Sequence, residues 1–441
     1  MARVAVIGAG IAGLSAAYHL REQADVTVFE KEANAGGHAN SVEVTDAGRT
    51  LGLDTAFIVY NEPHYQKITQ FFAELGVACQ AHPGRFSFNN ADTRTCYVSD
   101  DFELDEAAIR AKYPEDFVQL WTEAERFYRE SPGHFIRKQA EMSLGEYLTA
   151  NGYSDTFRYG FVVLVATAAW SVPADRIWDM PAATVIAFFL GHGREGLGGR
   201  TAPWRTVTGG SINYVRAVLE RLGAAGQDIR LGTSVTKVAE TAAGVEVSTG
   251  ASVEMGTEAG TELFDEVIIA LHADDALGVL AEPTPQQRML EAIQYNTTKA
   301  ALHTDAACMP ADREQWRSWN YARSGDNDNM STWVVYYLNQ LHDFTSATDY
   351  FLTLDYPFAI APERIIQEFD YRHPVFTTEA RSLQSSIHTI NAGDSRIKFA
   401  GSYFHSRKMG IDIVGSHESG FDSGAAAADA VVRSLSVDSA R

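Results

Sequence analysis

The sequence predicts an α/β fold whose parallel sheet starts at the amino terminus and which is joined to a larger α+β region. A buried strand over Arg3–Ile7 leads into a glycine turn, and an Ala-rich helical stretch at 14–20 follows directly. Helical stretches with aromatic faces occupy much of residues 86–203, and a second group of strands is predicted after residue 290. At about 150 residues per domain, 441 residues can form two or three units with sizeable cores.

Apolar spacing predicts the remaining elements in chain order. Further helices are expected at 61–76 and 212–222, and a closing Ala-rich helix from residue 420. Further strands are expected at 25–30, 229–238, 244–248, 264–271, 295–302, 332–338, 350–354 and 397–401.

The composition excludes several classes of protein. Hydrophobic residues make up 45% of the chain and charged residues 21%, as in ordinary globular enzymes, so the chain is not disordered. A net charge of −21 repels phosphate backbones, and we therefore expect no nucleic-acid partner. Three cysteines without CxxC spacing indicate neither a disulfide framework nor a zinc site, and no metal is expected.

The sequence also carries an expectation about location. The longest apolar stretches, 161–170 and 181–190, are too short to cross a bilayer. Because a strand is predicted from Arg3, we expect no signal peptide and a cytoplasmic protein without an integral membrane segment. Transient contact with a membrane and the oligomeric state stay open.

The turn after the first strand has the spacing of a dinucleotide-binding motif. Gly8 permits the tight turn, Gly10 lets backbone amides approach a pyrophosphate, and Gly13 allows close packing of helix on strand. Ile11 and Ala12 open the helix, whose amino terminus offers partial positive charge to phosphates.

A second strand ends in Glu30, whose carboxylate can accept both hydroxyls of an adenosine ribose. Strand, turn, helix, strand and acid stand in the order that such a site requires. An accidental glycine turn is the less favoured alternative.

The segment after Glu30 distinguishes FAD from NAD. Lys31 is followed by the paired glycines Gly36 and Gly37 and by His38. This pattern resembles the extended dinucleotide motif of FAD-dependent amine oxidases, phytoene desaturases and protoporphyrinogen oxidases. In those families the paired glycines and a following basic residue lie near the pyrophosphate and the flavin. His38 stands where Arg or Lys is common, and an exposed glycine turn is the alternative.

Further segments extend the resemblance over nearly the whole chain, namely residues 54–62, 204–211, 301–305 and 368–376. The chain is similar to the flavin-containing amine oxidase superfamily. It is closest to a bacterial branch of amine-oxidase-like FAD proteins often encoded beside cyclopropane-fatty-acid-synthase-like methyltransferases. The resemblance implies a discontinuous Rossmann-like FAD-binding domain of residues 1–85, 204–290 and 395–441. An inserted substrate domain of mixed sheet and helices would comprise residues 86–203 and 291–394.

The carboxy-terminal region matches the superfamily at the turn 401–404 and at a helix start at 418–424. Gly420 and Gly424 would keep the helix amino terminus close to the flavin, where its dipole stabilises negative charge. A surface helix with glycine caps is the alternative. This region contains no cysteine, so we expect non-covalent FAD. The cofactor-binding residues that motifs and resemblance imply are Gly8, Gly10, Ile11, Ala12, Gly13, Glu30, Lys31, Gly36, Gly37, His38, Thr55, Val235, Gly401, Ser402, Gly420 and Ser423.

Two residues are the catalytic candidates. Lys299 occupies the strand position where amine oxidases carry a lysine that holds a water against flavin N5, although a lysine is also common as an exposed strand residue. Tyr403 is the aromatic candidate for the wall that faces the flavin. Core packing is favoured for the weaker pocket candidates Tyr60, Trp170, Trp204 and Tyr337. A structural role is favoured for the possible acid–base residues His38, His303 and His373, since their spacing fixes no partner.

The apolar stretches 162–165 and 185–190 suit an apolar tunnel, and they suit a helical core equally well. No cluster of carboxylates near the matched motifs marks an amine pocket. The sequence therefore favours an FAD-dependent oxidoreductase that dehydrogenates a C–C bond of a lipophilic substrate, such as an acyl or isoprenoid-like chain. The alternatives are an amine oxidase that releases hydrogen peroxide, an FAD-dependent double-bond isomerase, and a non-catalytic flavin electron carrier.

Overall fold

A computed structural model describes residues 1–82, 84–170, 174, 176–192, 204–251, 256, 258–375, 377–404, 406–408 and 411–438. Within these ranges, a five-stranded parallel sheet is built from separated parts of the chain. The spatial order of its strands is Asp228–Arg230, Asp25–Phe29, Arg3–Ile7, Glu266–Ile269 and Ile397–Phe399.

The parallel sheet is the middle of three layers, because its strands alternate between two cores. Val4, Val6 and Ile268 pack with helices on one face. Ala5 and Val267 pack on the other face with a three-stranded antiparallel sheet. The helices of the first face are Ile11–Leu20, Gln66–Leu75, Ile212–Ala224 and His417–Asp438. The strands of the antiparallel sheet are Val235–Thr241, Gly244–Thr249 and Gly260–Phe264, and the helix Ala273–Val279 lies beside them.

A seven-stranded sheet, here called the large sheet, forms the second half of the molecule. Its order is Ile365–Val375, Gln294–His303, Phe351–Leu354, Ser331–Tyr337, Trp319–Ser324, Phe86–Asn90 and Thr95–Val98. An aromatic helical core packs against it through Phe88 and Tyr321. The helices of that core are Glu106–Lys112, Glu115–Ile136, Leu144–Ala150, Asp155–Phe157, Val163–Trp170 and Ala182–His192.

Short elements connect these layers. They are the hairpin Ser41–Asp46 with Arg49–Asp54, the small sheet of Tyr60–Asn61, Trp204–Val207 and Cys79–His82, the pair Ser406–Lys408 with Ile411–Ile413, and the helices Leu338–Leu341 and Thr378–Leu383.

The segment 378–391 packs against the parallel sheet, although the sequence predicts that it belongs to the substrate domain. Ala380, Ile387 and Ile390 lie in the core that contains Val267 and Phe399 of the parallel sheet. The division into domains stays a prediction. Within the described ranges, none of the helices is both long and apolar enough to cross a membrane.

Two glycines allow backbones to approach closely around the first helix. A Cβ added at Gly13 would lie 1.8 Å from the carbonyl oxygen of Gly8. A Cβ added at Gly424 would lie 2.1 Å from the carbonyl oxygen of Ala12 and 2.9 Å from Cβ of Ser15. The first helix therefore touches both the turn below it and the carboxy-terminal helix through bare backbone.

We expect Gly424→Ala to lower the free energy of unfolding by about 1–3 kcal/mol, because the two helices must separate to admit the methyl group. Urea denaturation followed by circular dichroism measures the change. The control is Gly223→Ala, at an exposed helix position where a Cβ would meet nothing within 4 Å. It should stabilise the protein by about 0.5–1 kcal/mol. Equal unfolding energies for Gly424→Ala and the parent would contradict the proposed crossing.

Candidate functional site

The glycine turn and the first helix form an open cradle of backbone groups. Gly8 adopts φ +99°, and a Cβ there would lie 2.6 Å from the carbonyl oxygen of Ala270, so only glycine fits. Gly10 caps the helix, and a Cβ added to it would meet no atom within 4 Å. Gly36 donates its N–H to the Ala9 carbonyl at 2.8 Å, which holds the paired glycines beside the turn. Open space therefore lies at the helix amino terminus, where Rossmann sites bind phosphate groups.

Glu30 is buried at the rim of this cradle. Its Oε2 accepts the Ala9 N–H at 2.8 Å, and its Oε1 accepts the Glu32 N–H at 3.0 Å. Each carboxylate oxygen can accept a further hydrogen bond, so the group retains capacity for ribose hydroxyls. The Thr233 N–H donates to the Glu30 carbonyl, which brings the strand that begins at Val235 next to Glu30. Lys31 is exposed, 3.8 Å from a Glu32 oxygen.

The carboxy-terminal turn joins the cradle from a third part of the chain. The Ser423 hydroxyl accepts the Gly401 N–H at 2.9 Å and donates to the Gly420 carbonyl at 2.8 Å. The Ser419 hydroxyl donates to the Ser402 carbonyl at 3.0 Å. A Cβ at Gly420 would lie 2.8 Å from Cγ2 of Ile11, so this glycine is required by the first helix.

Tyr403 does not reach an open surface. Its ring is 1% exposed, lies against Gly401 and Phe404, and belongs to the core that contains Phe29. Burial raises the pKa of its hydroxyl well above the ordinary value. The ring is therefore packed beneath the turn, and its role as a wall that faces the cofactor stays a prediction.

Lys299 is exposed on the outer face of the large sheet. Its backbone N–H donates to Oδ1 of Asp355 at 2.9 Å, and its cross-strand partner is the exposed Asp370. Side chains alternate between faces along a strand, so the neighbouring Thr298, paired with Tyr371, points the opposite way. Tyr371 contacts the segments beside the cradle, so Thr298 is the residue that faces inward. Its Oγ1 is buried without a hydrogen-bond partner.

Thr55 links the cradle to the large sheet. Its Oγ1 lies 2.6 Å from the Tyr371 hydroxyl and accepts the Asn40 side-chain amide at 2.8 Å. The same amide donates to the Tyr371 hydroxyl at 3.0 Å. This buried triangle fixes the segment after the paired glycines against the inner face of the large sheet.

The structure gathers three histidines that are far apart in sequence. The His38 ring centroid lies 5.1 Å from that of His373, 6.0 Å from that of His272 and 5.2 Å from that of Tyr371. Nε2 of His38 and Nδ1 of His373 are buried without a hydrogen-bond partner. We call His38, His272 and His373 the histidine cluster. Among the described residues, no three or more His, Cys, Asp or Glu side chains could hold a metal ion.

The spacing of His38 and His373 indicates no partner for either residue, and no pattern in the sequence singles out His272. Residue spacing cannot relate these positions, although His38 directly follows the paired glycines and His272 directly follows the strand predicted at 264–271. His303 lies elsewhere: its ring packs on Phe351, and its Nδ1 accepts the Asp305 N–H at 3.1 Å.

A cavity of about 490 Å³ opens between strands of the large sheet. It lies where the strand Phe351–Leu354 ends, so that Gln294–His303 and Ser331–Tyr337 are no longer bridged. Asn296, the cross-strand partner of His373, is part of its lining. The rings of Tyr159, Trp178 and Trp333 and the side chains of Asp328 and Asp355 also line it.

Three of the weaker pocket candidates, Tyr60, Trp204 and Tyr337, are not among the described residues of that lining. Tyr60 is buried in the core around the first helix, and Trp204 packs on Trp319. The Tyr337 hydroxyl donates to Asp349 at 2.6 Å. The side chain of Trp170 lies outside the described part of the chain.

Comparison with known proteins agrees with this geometry. A family model described as an NAD(P)-binding Rossmann-like domain matches residues 6–75. Among solved structures, a putrescine oxidase redesigned in its cofactor binding matches with a TM-score of 0.67 and 14% identity, over 98% of this chain and 99% of that one. Cyclohexylamine oxidase from Brevibacterium oxydans matches with a TM-score of 0.66 and 14% sequence identity, over 99% of both chains. A CLA-producing fatty acid isomerase from P. acnes matches with a TM-score of 0.61 and 15% sequence identity, over 98% of both chains.

The chain therefore contains a Rossmann-type dinucleotide-binding domain in a mixed α and β architecture. Its fold is that of the amine oxidases, which confirms the fold class and the resemblance inferred from the sequence.

Asp54, next to Thr55, is a fully buried carboxyl group that ties three segments together. Its Oδ1 accepts the Ser211 N–H at 2.8 Å, the Ser211 hydroxyl at 2.7 Å and the Ser41 hydroxyl. Its other oxygen lacks a hydrogen-bond partner and lies 3.7 Å from Nε2 of His342. Burial raises the pKa of Asp54 to about 7, against the opposing effect of these donors.

We expect the stabilising effect of a protonated Asp54 to be lost as the pH rises from about 4 to about 7. In that window the folded protein holds a proton that the unfolded chain releases. Asp54→Asn keeps the Oδ1 acceptor and cannot titrate. The unfolding free energy of the parent minus that of Asp54→Asn should therefore fall with rising pH, by on the order of 4 kcal/mol. Urea denaturation of both proteins at pH values from about 3.5 to about 7.5 measures the change, and a constant difference would refute the assignment.

Proposed function

We propose that the chain is a cytoplasmic FAD-dependent oxidoreductase that holds its cofactor without a covalent bond. The observation that carries the proposal is the open cradle at Gly10 beside the buried carboxylate of Glu30. The residues fit an FAD molecule: the amides near Gly10 and Gly37 would hold the pyrophosphate, Glu30 the ribose, and the strand at Val235 the adenine. When bound, FAD supplies the hydride acceptor, and the protein supplies binding, orientation and exclusion of water.

The proposal includes the domain division predicted from the sequence, with an FAD-binding domain of 1–85, 204–290 and 395–441 and a substrate domain of 86–203 and 291–394. This division is supported by the parallel sheet, which contains strands from all three segments of the FAD-binding domain.

A lipophilic substrate is the first candidate for the cavity. Three aromatic rings, those of Tyr159, Trp178 and Trp333, line it and offer apolar contact area. We infer that the substrate is an acyl or isoprenoid-like chain that undergoes C–C dehydrogenation. The fold shared with a fatty acid isomerase is compatible with this substrate class.

An amine substrate is the second candidate, and a specific observation favours it. The described lining of the cavity includes Asp328 and Asp355 and contains neither Lys nor Arg. Carboxylates beside aromatic rings form a favourable environment for an ammonium group. In this case the products would be an imine and hydrogen peroxide.

We expect the purified protein to release unmodified FAD on denaturation. Glu30→Ala should weaken FAD binding to the apoprotein by roughly 10-fold to 100-fold, because it removes a charge-assisted hydrogen bond to the ribose. Quenching of flavin fluorescence measures the dissociation constant. Glu22→Ala removes an exposed carboxylate near the end of the first helix and should leave binding unchanged. A protein that cannot be loaded with FAD, or that prefers NAD, would disprove the proposal.

The substrate class is tested by anaerobic bleaching of the bound flavin with linoleic acid, a polyisoprenoid, putrescine and cyclohexylamine. We expect bleaching by a lipophilic compound, and Trp178→Ala should then raise the substrate concentration needed about tenfold or more through loss of ring contact. Asp328→Asn is the matched control and should have no effect on that reaction. Bleaching by amines alone, with sensitivity to Asp328→Asn instead, would establish the second candidate. Turnover with neither class would favour an electron carrier.

A further inference from the structure

Nε2 of His38 is buried and lacks a hydrogen-bond partner. Burial lowers the pKa of His38, and the backbone of Arg372 opposes this effect. A neutral imidazole donates at one ring nitrogen and accepts at the other, so Nε2 can accept a hydrogen bond when the proton is on Nδ1.

The His38 ring faces the large sheet. Its ring contacts are His373 and Tyr371, on the inner face of that sheet, and His272, which follows a strand of the parallel sheet. The cradle amides at Gly10 lie on the backbone side of the same segment, where the Gly36 N–H bonds to the Ala9 carbonyl. The cluster is connected to the cavity through one cross-strand pair, because Asn296, the partner of His373, lines the cavity.

The cluster is uncharged near neutral pH. Burial lowers the pKa of His38, that of His272 to about 4 and that of His373 to about 3. His38 further lowers the pKa of His272, and His38 and His272 further lower that of His373. The charged and titratable groups around the cluster are Tyr295, Tyr371, Arg372, Asp274, Asp275, Lys31 and His417. The Arg372 guanidinium is bonded to Asp274 and Asp275, and its positive charge also lowers the pKa of His272.

We propose that His38 and His373 form an uncharged recognition site for the ring system of the cofactor, where the resemblance led us to expect a cation near the pyrophosphate. This inference rests on the proposed function. His38 Nε2 accepts an N–H group of the ring, and Nδ1 of His373 and Oγ1 of Thr298 lie on the adjoining inner face as further partners. Three buried polar atoms without partners in one junction are the observation that calls for such a ligand.

The test uses the full-length apoprotein and two probes, FAD and ADP, because ADP contains the pyrophosphate half of the cofactor but lacks the ring. In His38→Asn and in His373→Asn we expect the FAD affinity to fall about tenfold and the ADP affinity to stay unchanged. The matched control is His303→Asn, since His303 also has a buried Nε2 without a hydrogen-bond partner but lies seven residues away from Asn296 on the same strand. It should change neither affinity.

The pH dependence provides a second measurement on the parent protein. An uncharged site predicts FAD affinity that does not fall as the pH rises from about 6 to about 8.5. A fall in affinity as the pH rises through the ordinary histidine range would show a charged imidazole and overturn the proposal. Equal losses of FAD and ADP affinity in both variants would place the cluster at the pyrophosphate and also overturn it. Unchanged FAD affinity in both variants overturns it while leaving the proposed function intact, whereas a parent protein that binds ADP but not FAD refutes the proposed function itself.

Discussion

The close approach of the first helix to the turn beneath it is the constraint on which the rest of the structure depends. With a Cβ at Gly13 only 1.8 Å from the Gly8 carbonyl, any other residue would tilt the helix away from the strand ends. The helix amino terminus would then no longer point at the open space beside Gly10. The same helix is held from the other side by the carboxy-terminal helix at Gly424. One crossing of bare backbones therefore fixes both the phosphate-binding end of the site and the last element of the chain.

Two buried polar groups transmit this arrangement to the large sheet. Asp54 receives donors from Ser41 and Ser211, and Thr55 bonds to Asn40 and Tyr371. The contacts of Asp54 with Ser211 and of Thr55 with Tyr371 join residues separated by more than 150 positions, so the site forms only when distant segments are folded together. A polar bond buried in a low-dielectric interior is costly to break without replacement, which makes such junctions specific in geometry.

Local patterns predict elements in both halves of the molecule. The helix expected at 61–76 is found at Gln66–Leu75 and ends in a left-handed Gly76, and the strand expected at 295–302 is found at Gln294–His303. The apolar pattern predicts one strand over 229–238, but this run supplies Asp228–Arg230 to the parallel sheet and the start of Val235–Thr241 to the antiparallel one. The pattern cannot reveal this change of sheet, because the parallel partner Asp25–Phe29 is distant in sequence.

Among the site residues, those that depend on local spacing can be predicted from the sequence, and those that depend on distant contacts cannot. The glycines and Glu30 were identified because their chemistry follows from spacing within one βαβ unit. Alternation along Gln294–His303 predicts that Thr298 and Lys299 face opposite ways, but it cannot tell which face meets the cradle. That choice depends on the pairing of Thr298 with Tyr371 and on the contact of Tyr371 with Thr55. The histidine cluster was beyond reach for the same reason, since its three members come from three separate segments.

The buried polar atoms of His38, His373 and Thr298 that lack hydrogen-bond partners affect both the stability of the free protein and its choice of ligand. A buried polar atom without a partner costs about 1–3 kcal/mol, and His38, His373 and Thr298 each carry one in the free protein. A ligand that satisfies these atoms removes the cost, and a ligand that cannot satisfy them must leave it in place. The protein therefore does not need a side-chain cation at this position to discriminate between ligands. Because the atoms are held by packed rings and by the Arg372 backbone, they are oriented before the ligand arrives, and little further ordering is required on binding.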